Sequence, residues 1–387
     1  MLVFFGVLAI ISAASFLKKY GGMKMAGKLV ITTGTSCCGR KELFLPSFEK
    51  LCDEKKAKRK IYNIGDMIFN WAWENARERL PRENILYVNK LAMNLAQAAA
   101  FQFILFSLKQ DLEENDVVLI NLHNLFPWWK GSVYLPVYNE LFVKKLIESG
   151  FEPDMFICFM DNANDISRRL KENKQWKSES LSEKDIWLWQ NEEINITKRL
   201  RFFSENDIRF FVMPIRQPAA TFYYLLFEPW RPVVYAQMPL SHIKASKLKK
   251  VIWLIEELRK SAVVFDPMTV ETGIVEREEL DRVDDDTEIM VRHTQTGYRD
   301  TEWFIPQVDV SLAYYVEPVL TIGTVDETTT AAGLGKKTWA IFPGNVSPFM
   351  PFRVPPERIF QTPEECLSAF RTYAEEAEQI YKNNLKR

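Results

Sequence analysis

Short apolar runs recur along the chain, each closed by a glycine or polar turn. Lys28–Thr33 and Met155–Phe159 read as strands in the first half. Val233–Pro239, Val263–Pro267, Val308–Tyr315 and Thr338–Pro343 read the same way in the second. Pro356–Phe360 reads as a late strand. Helical spacing fills the segments between, from about Lys41 to Lys56, from Leu248 to Lys260 and from Pro363 to Tyr381. Thr362 stands where the closing helix needs an N-cap. Strands alternating with helices predict an α/β fold built on parallel sheets. No internal repeat or low-complexity tract interrupts the pattern.

One βαβ unit carries candidate chemistry. After Val308–Tyr315 come Gly323-Thr324-Val325-Asp326-Glu327, then Ala331 and Gly335-Lys336-Lys337, then the next strand. The spacing predicts Glu327 in the first turn of a helix, where the dipole favours a carboxylate. Ligands of open α/β sheets sit at that edge. Asp309, at the preceding strand, is the expected partner in a carboxylate pair for breaking a glycosidic bond. The alternative is that Glu327 only caps and solubilises its helix.

A second turn lies in the first half. Lys28–Thr33 leads into Gly34-Thr35-Ser36-Cys37-Cys38-Gly39-Arg40-Lys41 and then a helix. Strand, glycine loop and helix form the context of a phosphate-binding loop. Gly34 and Gly39 have the spacing of such a loop. Arg40 takes the place of the usual Lys, and Lys41 that of the Ser or Thr that holds Mg²⁺. Backbone N–H groups and Arg40 suit phosphate. Without the metal ligand, phosphoryl transfer is expected to be weak or absent.

More residues extend both patterns. Ile61–Met67 contains Asn-x-Gly-Asp, Val117–His123 ends in Asn121-Leu122-His123, and Lys130–Pro136 ends in Tyr-Leu-Pro. Asp165–Leu170 and a last strand, Ile208–Met213, follow. Residues 27–215 thereby resemble archaeal-type adenylate kinases and related nucleoside monophosphate kinases. The sequence departs at Lys41, at Asn121 in place of an Asp, and in a lid reduced to Lys174-Gln175-Trp176-Lys177. The resemblance implies nucleotide binding at Gly34, Gly39, Arg40 and Lys41, with ATP or another nucleotide, and Mg²⁺, as the ligand.

Residues 231–376 resemble the nucleoside 2-deoxyribosyltransferase family, which includes nucleoside 5′-monophosphate N-glycosidases. The carriers are Tyr235-x-x-x-Pro239, Gly323-Thr324-x-x-Glu327, Ala331 and Gly335-Lys336. The resemblance implies that Glu327 is the nucleophile, that Asp309 orients it or protonates the leaving base, and that Tyr235 positions carboxylate or sugar. It also implies substrate binding by Thr321, Gly323 and Thr324, with no cofactor. Thr321 resembles the hydroxyl residue of the monophosphate glycosidases rather than the Asp of the free-nucleoside transferases. His293, Arg299-Asp300 and Trp303 are taken to shape the base side.

The fold expected is therefore α/β with two doubly wound parallel-sheet domains, at 25–215 and 233–387. The aromatic, Pro-rich stretch 216–232 is expected to pack between them as a connector. A nucleotide is the expected substrate. A monophosphate kinase and a non-catalytic nucleotide sensor stay open beside the N-glycosidase or transferase.

Composition narrows little. Net charge is −1 over 387 residues, so no global field recruits nucleic acid. A homo-oligomer is expected. The five cysteines lack disulfide or zinc spacing, which suggests a reducing compartment. With only His123, His242 and His293, no histidine-rich metal site is expected, and Asp284-Asp285-Asp286 is read as an exposed loop. Leu2–Leu17 is uncharged and mostly apolar, followed by Lys18-Lys19. Residues 1–24 are read as a membrane anchor or as an extension ahead of a start at Met23 or Met25. Either leaves the folded body in the cytoplasm.

Overall fold

Lys28–Gly34 is buried at every position after Lys28, so both of its faces need cover. That is the environment of a central strand in a parallel sheet. In the computed structural model this strand, β1, is the middle of a five-stranded sheet. The order is β2-β3-β1-β6-β7, with β2 Arg59–Asn63, β3 Val117–Asn121, β6 Met155–Met160 and β7 Arg209–Pro214. β1 runs parallel to β3, Thr32 opposite Asn121, and to β6, Gly34 opposite Phe159. A short antiparallel pair, β4 Leu125–Trp128 and β5 Val133–Pro136, follows β3.

The structure describes residues 27–76, 83, 85, 88, 90–128, 133–137, 139–177, 181–239, 245–270 and 294–385. The apolar run 2–17, the acidic run 276–286, His242, His293 and residues 130–132 lie outside them.

Helices cover both faces of the first sheet: α1 Leu45–Lys55, α2 Ile64–Ala76, α3 Lys90–Glu114, α4 Asn139–Glu148, α5 Ala163–Glu172 and α6 Glu183–Leu200. α3 is long and apolar enough to cross a membrane. Its Ile104, Leu108 and Leu112 sit in the sheet's core cluster with Ile31, Val118 and Phe156, while Phe103 and Phe106 of the same helix are exposed.

The chain divides into two compact units, Met1–Met213 and Pro214–Arg387. The second is another five-stranded sheet, of order β12-β11-β10-β8-β9. Its strands are β8 Val233–Gln237, β9 Val263–Phe265, β10 Val310–Tyr314, β11 Lys337–Ile341 and β12 Ile359–Phe360, all parallel. Counted along the unit, that order is 2-1-3-4-5, the flavodoxin-like winding. Its helices are α7 Ala219–Phe227, α8 Ala245–Arg259, α9 Ile322–Gly333 and α10 Pro363–Leu385. Thr362 caps α10: its hydroxyl accepts from Glu365 N at 3.3 Å, and Glu365 accepts from Thr362 N at 3.2 Å.

The expected connector differs from its reading. α7 forms inside it, and Phe222, Leu225 and Leu226 are buried at helical spacing. Pro and aromatic content hid that stripe.

Gly34 has a φ of 146°, and a Cβ there would lie 2.7 Å from the Phe159 carbonyl oxygen. Gly323, within α9, has nothing within 4 Å of an added Cβ. Gly34→Ala is therefore expected to lower stability by about 1–3 kcal/mol. Gly323→Ala should raise it by about 0.5–1 kcal/mol. Thermal denaturation of the two variants checks both signs.

Candidate functional site

In a doubly wound sheet, ligands bind beyond the carboxyl ends of the strands where the winding reverses. In the first sheet that point is β1, flanked by β3 and β6. The chain leaves β1 at Gly34 and turns through Thr35–Gly39. Cys37 and Gly39 are left-handed, with φ of 59° and 95°. Alternating backbone of this kind points successive N–H groups into one concavity. Among the described residues, the N–H groups of Ser36, Cys37 and Gly39 have no protein acceptor. A π-helical turn, Arg40–Phe44, then opens α1. The loop borders a cavity of about 180 Å³, which Asp66, His123 and Trp176 also line.

Arg40 dominates this cavity. The residue is only 4% exposed. Its Nε and Nη1 have no partner, and Nη2 lies 3.4 Å from His123 Nε2. His123 Nδ1 sits 2.6 Å from the Gly34 carbonyl oxygen. Burial, and then the Arg40 charge, push the His123 pKa down to about 3. The ring is therefore neutral: Nδ1–H donates to Gly34, and Nε2 accepts from Arg40. No carboxylate bonds to the guanidinium, Glu193 acting on it only through charge, and a buried cation without a bonded counter-ion is costly. An anion in the cavity would remove that cost.

Lys41 pairs with Asp66 at 2.5 Å on the cavity wall, both side chains partly exposed. Asn121 is committed at both ends: its amide nitrogen donates to Asn63 at 2.7 Å and its oxygen accepts from Thr32 at 3.3 Å. Mg²⁺, which the kinase resemblance implies, does not fit these residues. An ammonium stands at the hydroxyl position, and a neutral amide bonded at both its oxygen and its nitrogen at the carboxylate position. Among the described residues, no group of three or more His, Cys, Asp or Glu side chains gathers to hold a metal. Burial pushes the Cys37 thiol up to about 12, so it is no nucleophile at neutral pH.

Two buried carboxylates that the sequence reading missed brace the loop. Glu193 of α6 accepts from Gly34 N at 3.3 Å, Asn124 N at 2.8 Å and Leu125 N at 3.2 Å. Asp161 pairs with Arg169, whose Nη2 donates to the Cys38 carbonyl at 3.4 Å. The signal for Glu193 was present: Trp189, Gln190, Glu193, Ile194 and Thr197 form one buried stripe on α6.

In the second sheet the winding reverses between β8 and β10. At those ends lie Gln237, the last residue of β8, with Thr328 and Tyr315. Thr328 Oγ1 donates to Gln237 Oε1 at 2.9 Å, and Gln237 Nε2 donates to Ser311. Glu327 lies on α9 beside Tyr315, whose pKa is pushed up to about 12 by burial and then by the Glu327 charge. Glu327 is in the second turn rather than the first, because the helix starts at Ile322. Thr321 occupies the N-cap, and its hydroxyl donates to Thr324 Oγ1 at 3.0 Å rather than capping the backbone. Gly323 lies in the first turn of α9.

Asp309 corrects the expected pairing. It precedes β10 and accepts from Val233 N at 2.8 Å, at the amino edge of the sheet. Glu327 lies beyond the carboxyl edge, so the strand separates the two. Tyr235 is fully buried within β8, against Phe304. Arg299 and Asp300 form a buried ion pair at 2.9 Å. Trp303 is buried too. A cavity of about 60 Å³ lined by Tyr315, Thr328 and Arg353 has room for a few water molecules.

No protein-family model matches this chain, and no characterised protein matches it in sequence. Among solved structures, a GTPase from Pyrococcus abyssi in its apo form is similar over 53% of this chain and 98% of its own. The identity is 13% and the TM-score 0.27.

Burial lifts the Glu193 pKa from about 4.5 to about 7. The folded protein then keeps a proton that the unfolded chain releases across that range. The stabilising contribution is complete below about pH 4.5 and is lost as pH rises through about 7. Glu193→Gln should flatten this part of the stability profile, worth up to roughly 3 kcal/mol. Urea unfolding at intervals across the range reads the slope. A slope equal to wild type would remove Glu193 as its source.

Proposed function

We propose that the N-terminal unit binds the phosphate groups of a nucleotide at the 34–41 loop, without metal-dependent phosphotransfer. The observation that carries this is the buried Arg40 guanidinium, with two nitrogens unpartnered beside open loop N–H groups. Phosphate supplies the missing counter-charge and acceptors. Lys41 and Asn121 remove the usual Mg²⁺ contacts, so the unit is a nucleotide-binding module rather than a kinase.

Titration with ADP, GDP, adenosine and inorganic phosphate tests it. The diphosphates should bind and adenosine should not. Arg40→Met should weaken diphosphate binding about ten- to hundredfold, as loss of a charged hydrogen bond does. The same change removes an unpaired buried charge, so the melting temperature should hold or rise. Wild-type affinity in a folded Arg40→Met protein would refute the assignment. ATP with Mg²⁺ should give no phosphotransfer above background.

A second reading concerns the C-terminal unit. A partly buried carboxylate, Glu327, stands at the winding reversal beside a phenol that keeps its proton. A carboxylate there suits cleavage of the N-glycosidic bond of a nucleoside 5′-monophosphate. It would attack C1′ as the C1′–N bond breaks, with the bonding pair leaving on the base. The Thr321–Thr324 hydroxyl pair at the start of α9 suits the 5′-phosphate. Glu327→Gln should lower release of free base by roughly 10³ or more. Chromatography of nucleotide mixtures reads this, and equal release by the two proteins would end the reading.

A further inference from the structure

We infer that the 34–41 loop takes its phosphate ligand without a divalent cation, with the Lys41 ammonium supplying the counter-charge a metal would bring. The inference rests on the phosphate-binding reading above. Lys41 directly follows the buried Arg40 and lines the same cavity. Its ammonium is held at 2.5 Å by Asp66, itself a cavity residue. Both side chains are partly exposed, at 51% and 32%, and such pairs are weak in water. Lys41 can therefore pass from Asp66 to a phosphate oxygen at little cost. Arg40 and Lys41 together match the two negative charges of a terminal phosphate.

The same arrangement works against a metal. A divalent cation at the hydroxyl position would meet the ammonium and be repelled. Asn121, at the position of the metal-organising acid, has its oxygen taken by Thr32 and its nitrogen by Asn63. Asp66 is engaged by Lys41. The neutral His123 adds no charge of its own and spends one ring nitrogen on Gly34.

Calorimetric titration of ADP into the full chain, with Mg²⁺ and with EDTA, tests this. The two affinities should agree within about threefold, where a metal-bridged site would lose far more. Lys41→Ser, which restores the hydroxyl, should weaken binding in EDTA about tenfold. Asp66→Asn frees the ammonium and should leave binding in EDTA unchanged or tighter. A tenfold or greater loss on chelation in the wild type would overturn the inference. So would undiminished binding by Lys41→Ser in EDTA, or a tenfold loss in Asp66→Asn. Binding in neither medium would overturn the phosphate reading itself, and this inference with it.

Discussion

The Glu193 carboxylate is the point from which the N-terminal site is held. It sits fully buried under the carboxyl ends of β1 and β3 and accepts N–H groups from Gly34, Asn124 and Leu125. Without it, three backbone donors would be buried with no acceptor, a cost of about 1–3 kcal/mol each. Burying the carboxylate has its own cost, visible in a pKa raised to about 7. On the far side of β1, the Asp161–Arg169 pair reaches the Cys38 carbonyl. The loop is thus fixed from two sides before a ligand arrives, which lowers the entropy lost on binding.

Gly34 links that support to the ligand side. Its N–H faces Glu193, its carbonyl accepts from His123, and His123 in turn accepts from Arg40. Each bond polarises the next. A buried carboxyl group at one end and a buried cation at the other are connected through Gly34, which has no room for a Cβ, and His123. The neutral His123 spaces them, and the guanidinium keeps two buried nitrogens without a partner at the cavity wall.

The strands and the glycine loop were legible in the sequence because short buried runs and glycine spacing are local signals. β1 ends one residue beyond its reading, at Gly34. Strand order is not a local signal, and the sequence reading did not include it. Asp309 and Glu327 show why distance along the chain misleads. Asp309 precedes β10 and bonds Val233 N at the amino edge, whereas Glu327 follows the strand and lies beside Tyr315 at its other end. Glu327 was placed a turn too early because Gly323 was read as the turn itself, whereas α9 already begins at Ile322. Glu193 went unread because a charged residue in a helix is ordinarily solvated; only its place in the buried stripe of α6 marks it.

Both sheets wind outward from a reversal point, and each leaves a crevice there. What differs is the charge the chain leaves at that crevice. The first holds a buried cation whose one bonded partner is a neutral ring. Such a site gains most from a ligand that arrives already negative. The second holds a partly exposed carboxylate next to a protonated phenol. That site gains most from charge that turns positive during reaction, as at the C1′ carbon of a breaking glycosidic bond. On the functions proposed above, the first would meet a stable phosphate anion and the second a transient sugar cation, the two charges a nucleotide can offer.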